Sequence, residues 1–144
     1  MQLGLIGMKL KDKHAEDYLN NAISINEKSP VAWNAKGTYF LEQDKIKEAL
    51  NCFRKATTLD SKIALAQYYV GYCLFVLDSF DQAYISFSNA IESNPEYAEA
   101  YYNRGLCAIK KSDVLDAQFN FEQAKKYKPG WTKPQEQLDK INKR

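Results

Sequence analysis

Residues 67–90 read QYYVGYCLFVLDSFDQAYISFSNA, and the fold turns on how that stretch is divided. From Gln67 to Leu77 there is a single plainly polar side chain. A surface helix needs an apolar stripe of about 100° and a wet opposite face. The run is therefore a membrane span, a buried helix, or a helix whose second face meets a ligand. A span takes about 18 to 20 consecutive apolar residues, and Gln67 and Asp78 close this run well short of that. After the polar break LDSF, Ala83, Phe87 and Ala90 fall at i, i+4 and i+7, on one face of a second helix.

The same pattern recurs on either side with a period of 34. Gly37, Gly71 and Gly105 form one column, and Ala49, Ala83 and Ala117 form another. Phe53, Phe87 and Phe121 make a third, and Ala56, Ala90 and Ala124 a fourth. Four columns in register over three copies define an internal repeat. Each second helix presents a small, large, small stripe, which lets a neighbour approach while phenylalanine fills the space between. Each glycine lies inside the preceding helix, where it costs about 1 kcal/mol against alanine. A cost repeated three times predicts a helix crossing too close for a Cβ.

Polar breaks at 42–45 (EQDK), 77–80 (LDSF) and 111–114 (KSDV) predict antiparallel turns, and a second set closes each unit at LDSK, SNPEY and KPGW. Pro95 and Pro129 disfavour helix continuation there. Each unit is a helical hairpin, and stacked hairpins predict an all-α, right-handed superhelical solenoid with a continuous core. Trp33, Gly37, Phe40, Ala49, Phe53 and Ala56 carry the spacing W-x2-L-G-x2-Y followed by A-x3-F. In this the chain resembles the tetratricopeptide repeat family. Residues 64–97 match through Gly71, Leu74, Ala83, Phe87, Ala90 and Pro95, with Gln67 in place of a large apolar residue. Residues 98–131 match through Tyr101, Gly105, Ala117, Phe121, Ala124 and Pro129, with Ala108 in place of an aromatic. Ser61 stands where the first repeat should have proline.

One domain is expected over residues 1–144, with repeats at 30–63, 64–97 and 98–131. Ala15, Leu19 and Ala22 lie one period before 49, 53 and 56, so residues 1–29 read as a partial repeat. Its first helix is cut to MQLGLIGMKL, which makes the chain either open at an apolar N-terminal edge or a piece of a longer array. At the other end Leu138 and Ile141 form a narrow stripe on a charged helix over 132–144, the pattern of a capping helix.

Composition narrows the function. An apolar content of 45% argues against disorder. The absence of a basic leader makes a signal peptide unexpected, and a cytoplasmic location is the expectation. Cys52, Cys73 and Cys107 are an odd number with no CxxC pair, and the only histidine, His14, is far from them in sequence, so core packing is expected for all three. No phosphate loop or catalytic constellation emerges; the expectation is a non-enzymatic chain without cofactor or metal. The net charge of +2 is uneven: residues 1–100 hold 10 Lys and Arg against 13 Asp and Glu, and residues 101–144 hold 10 against 5. The basic end would suit an acidic partner or a phosphate backbone, but solvated lysines on a terminal helix are the simpler expectation.

In tetratricopeptide arrays the first helix of each hairpin lines the concave wall. The resemblance therefore implies a groove whose middle repeat offers Leu65, Tyr68, Tyr72 and Phe75, spaced 3, 4 and 3 apart. The next repeat supplies Tyr102, Leu106 and Ile109, and the previous one a more polar wall with Asn34, Thr38 and Glu42. Large apolar side chains in a groove are the makings of a recognition site. Aromatics on helices also serve as core, and the two readings part on whether Tyr68, Tyr72 and Tyr102 are exposed or covered. The expected function is binding an extended or helical apolar segment of a protein partner; self-association through the N-terminal edge is the alternative. Nucleic acid is disfavoured because no lysine and arginine stripe accompanies the tyrosines. Some family members clamp acidic chaperone tails with lysine, asparagine and arginine. Here the matching columns hold Tyr68, Tyr72, Asn103, Lys133 and Gln137, so only Asn103 and Lys133 fit.

Overall fold

The computed structural model describes residues 14–143, and the segment MQLGLIGMKL lies outside them. Among the described residues there are eight helices and no strand: α1 (His14–Ile25), α2 (Pro30–Glu42), α3 (Ile46–Leu59), α4 (Ala64–Val76), α5 (Phe80–Ser93), α6 (Ala98–Lys110), α7 (Val114–Tyr127) and α8 (Thr132–Asn142). Each packs on its neighbours in the chain, and α4 also touches α6 directly. The result is an all-α solenoid of hairpins α2/α3, α4/α5 and α6/α7, with α1 packed on α2 and α8 packed on α7.

The glycine column is explained by the phenylalanine column. A Cβ at Gly37 would lie 2.6 Å from the Phe53 ring, one at Gly71 2.8 Å from Phe87, and one at Gly105 2.6 Å from Phe121. All three rings are fully buried, as are the alanines at 49, 56, 83, 90, 117 and 124 that flank them. Each hairpin is thus locked by one ring set against bare backbone. Cys73 and Cys107 are buried in the same layer and Cys52 nearly so, as packing residues should be. Burial pushes the Cys73 and Cys107 thiols up to about 12, which leaves them protonated and unreactive near neutral pH.

The turn inside each hairpin also repeats. Asp44, Asp78 and Ser112 sit 34 apart with φ of 59°, 62° and 62°. This left-handed residue lets the following N–H reach back five residues, from Lys45 to the Phe40 carbonyl (2.9 Å), from Ser79 to Leu74 (2.8 Å) and from Asp113 to Ala108 (2.9 Å). Those bonds satisfy carbonyls that a helix end leaves open.

The joints between hairpins use side chains. Asn26, Asp60 and Asn94 each accept from the backbone N–H two residues on, at 3.0, 3.0 and 3.2 Å. From the first turn of each following helix a side chain reaches back six residues: Trp33 Nε1 donates to the Glu27 carbonyl (2.9 Å), Gln67 Nε2 to Ser61 (3.2 Å) and Tyr101 Oη to Pro95 (2.9 Å). Gln67 therefore does what tryptophan and tyrosine do at the equivalent places. The column asks for a long side chain with a terminal donor, not for an apolar one. The last two hairpins gain a further tie: Arg104 Nε donates to Asn120 Oδ1 (2.7 Å), and Asn120, fully buried, donates to the Asp116 carbonyl (2.8 Å). Tyr84 Oη completes the set with a 2.7 Å bond to Asp116.

Candidate partner-binding surface

The first helices of the hairpins form one wall, held by contacts between residues 35 apart. Asn103 Nδ2 donates to Tyr68 Oη (2.9 Å) and also to the Glu99 carbonyl (3.0 Å). Gln137 Nε2 reaches Tyr102 Oη at 3.5 Å. Tyr68 lies half-buried among Tyr69, Phe87 and Tyr97, stacked on Tyr97 with centroids 5.1 Å apart. Burial, with smaller contributions from nearby acidic groups, raises the Tyr68 phenol to about 12. Tyr102 leans on Phe121 and Trp131. Of the three tyrosines expected on the groove floor, Tyr68 thus joins two successive hairpins and Tyr102 joins the last hairpin to α8.

Tyr72 is different. It is 40% exposed, and Leu65 (44%) and Val76 (45%) are exposed on the same helix. Phe75 is half-buried against Phe80, and Leu106 and Ile109 are half-buried against the core around Phe121. Thr38 and Asn34 are half-buried on α2, where the Thr38 hydroxyl donates to the Asn34 carbonyl (3.1 Å). Tyr72 and Val76 line a cavity of about 360 Å³ between α2 and α4, together with Thr38, Leu41, Glu42 and Tyr69. Asp44 and Ile46 close its end at the turn.

Sequence periodicity did not single out Tyr69, Asp44 or Ile46. Tyr69 stacks on Phe53 (4.9 Å) and also lines the cavity, a consequence of how α4 meets α3. Asp44 enters only because the left-handed turn carries it back beside α2. Among the described residues no group of three or more His, Cys, Asp or Glu side chains could hold a metal ion. None of the described helices is long and apolar enough to cross a membrane.

The family model described as tetratricopeptide repeat matches residues 34–88 and 80–124. The chain belongs to the tetratricopeptide repeat family. Its repeats are 32% identical over 121 residues to the cell division cycle protein 27 homolog of Caenorhabditis elegans, a match over 83% of this chain and 15% of that protein. Protein bimA of Emericella nidulans is 28% identical over 107 residues, covering 74% and 13%. The chain therefore spans about a seventh of the length of these curated relatives. Among solved structures, the tetratricopeptide solenoid resembles MamA with a TM-score of 0.90 at 22% identity, over 99% of this chain and 84% of that one. The first repeat domain of Spaghetti (RPAP3), bound to an HSP90 peptide, gives 0.78 at 23% identity, over 80% and 91%. Likeness at that identity is likeness of fold.

Proposed function

We propose that this chain is a protein-interaction module whose first-helix wall binds a segment of a partner protein. In this reading residues 30–63, 64–97 and 98–131 are the repeats of one domain, between a partial repeat at 1–29 and a cap at 132–144. One observation carries it: after every other aromatic of α4 has been taken into packing, Tyr72 remains exposed beside an open cavity with Leu65 and Val76. Exposed aromatic and aliphatic side chains on a rigid scaffold bind at little ordering cost. The family membership, and the peptide held by the Spaghetti domain of the same fold, support the reading.

The test compares two faces. Tyr72→Ala changes the first-helix wall, and Phe119→Ala changes an exposed residue (53%) on α7, a second helix of a hairpin. With melting temperatures matched, a partner captured by the wild-type chain is expected to be lost from Tyr72→Ala and kept by Phe119→Ala. The reverse pattern would move the site to the opposite face.

The acidic-tail chemistry of the Spaghetti ligand is not expected here. Tyr68 and Gln137 supply no cation where a clamp needs lysine and arginine, Tyr72 stands where it needs asparagine, and both amide hydrogens of Asn103 are already donated, to Tyr68 and Glu99. Titration with the HSP90 peptide SRMEEVD should give no submillimolar complex; one whose carboxylate contacts Tyr72 would overturn this. Self-association is the second reading, favoured by Tyr18 (51% exposed) and Ile25 (86%) on α1, the first of the described helices. A mass that rises with concentration, and is restored to the monomer by Tyr18→Ser with Ile25→Ser, is its signature.

A further inference from the structure

The bonds that tie one first helix to the next stop at the α2/α4 joint. Tyr68 meets Asn103 and Tyr102 meets Gln137, each 35 residues on. The equivalent pair would be Asn34 and Tyr69, and it is not made: Asn34 Oδ1 is buried and accepts from no donor. A buried acceptor without a donor is uncommon and calls for an explanation. It lies on α2 one helical turn before Thr38, which lines the α2/α4 cavity. At the other end of that cavity stand Glu42 and Asp44, both exposed. Among the described residues neither forms an ion pair, and the adjacent cation, Lys45, is turned onto the Phe40 ring at 5.9 Å.

We infer that the α2/α4 cavity holds an extended segment of a partner protein bearing a lysine or arginine beside a large apolar side chain. The inference rests on the partner-binding reading above and specifies its ligand. The apolar side chain lies against Tyr69, Tyr72 and Val76. The cation lies between Glu42 and Asp44, whose charges are otherwise unanswered, and a donor of the segment takes up Asn34 Oδ1 as the amide turns toward the cavity. Charge complementarity fixes the direction in which the segment runs, with its basic residue toward the α2/α3 turn.

The probes are arrayed ten-residue peptides in a serine and alanine background, each with a central Phe or Leu flanked by Arg, Ser or Glu. Affinities of the full chain are read by fluorescence anisotropy. Arg-flanked peptides are expected to bind best. The double variant Glu42→Gln, Asp44→Asn should weaken them about fivefold while leaving Ser-flanked peptides unchanged, the effect of two partly exposed charge contacts. Asn34→Leu should weaken both peptide classes without lowering the melting temperature, since it removes a buried acceptor that folding leaves unpaired. A lowered melting temperature with unchanged affinity would make Asn34 structural and overturn its part. Preference for Glu-flanked peptides, or an Arg preference that survives the double variant, would overturn the ligand chemistry while Tyr72→Ala still abolished binding. Peptide binding indifferent to Tyr72→Ala, or none at all, would remove the partner-binding reading and this inference with it. A dimer dissolved by Tyr72→Ala would put a second copy of the chain in the cavity instead.

Discussion

At the scale of the residue, the fold depends on three glycines that make room for three rings. At Gly71 the Phe87 ring occupies the space where a Cβ would stand, 2.8 Å away, and the ring is sealed on all sides. Gly71→Leu should lower stability by several kcal/mol through overpacking. Gly71→Ala regains about 1 kcal/mol of helix propensity and should cost less. Denaturant melts of Gly71→Ala, Phe87→Leu and the double variant measure the contact directly. The double variant should be less destabilised than the sum of the singles, and strict additivity would mean that ring and backbone do not oppose each other. At Ser112 the problem is reversed: a φ of 62° is imposed on a residue that has a Cβ. Ser112→Gly should raise stability by about 0.5 to 1 kcal/mol, read as a higher melting temperature. A fall would show that the serine side chain holds the turn.

At the scale of the element, each joint is made by a short-range polar device rather than by apolar burial alone. Asx turns at 26, 60 and 94 shape the loop, and the residue at 33, 67 or 101 reaches back to its carbonyl. The departures from the family spacing become intelligible there. Ser61 substitutes for proline because its carbonyl, not its ring, is used, and Gln67 substitutes for tryptophan because the donor is what matters. The joint between α5, α6 and α7 adds Arg104, stacked over the Tyr84 and Tyr101 rings at 5.4 and 5.5 Å while it serves Asn120. The 34-residue period could not announce that network, since Arg104 has Val70 and Lys36 as its counterparts.

At the scale of the molecule, the two walls differ in what they leave open. Along the first-helix wall, tyrosines close the joints α4/α6 and α6/α8, and one joint, α2/α4, keeps its cavity. The tyrosines that close the wall also set an alkaline limit. Tyr68 is raised to about 12, chiefly by burial, and burial raises Tyr97 as well. Below pH 10 both are protonated in folded and unfolded chains, and their contribution is complete. As pH rises from 10 toward 12 the unfolded chain ionises first, and stability is lost. The urea midpoint should hold to pH 10 and fall between pH 10 and 12, and Tyr68→Phe should make that fall shallower. A Tyr68→Phe chain with an unchanged slope would place the titration elsewhere.

The period, the helical hairpins and the glycine and phenylalanine crossings were legible in the amino-acid order alone. These depend on contacts within one 34-residue unit or on the angle between successive side chains, and both are written in the spacing. Which residues of that wall stay open was decided only in three dimensions. Tyr68 and Tyr72 lie one helical turn apart on the same stripe, yet Tyr68 is covered by Tyr97 and bonded by Asn103, whereas Tyr72 meets no such neighbour and stays 40% exposed. Their fates differ because burial is set by the side chains that the next hairpin brings across, and those are contributed from 29 and 35 residues away.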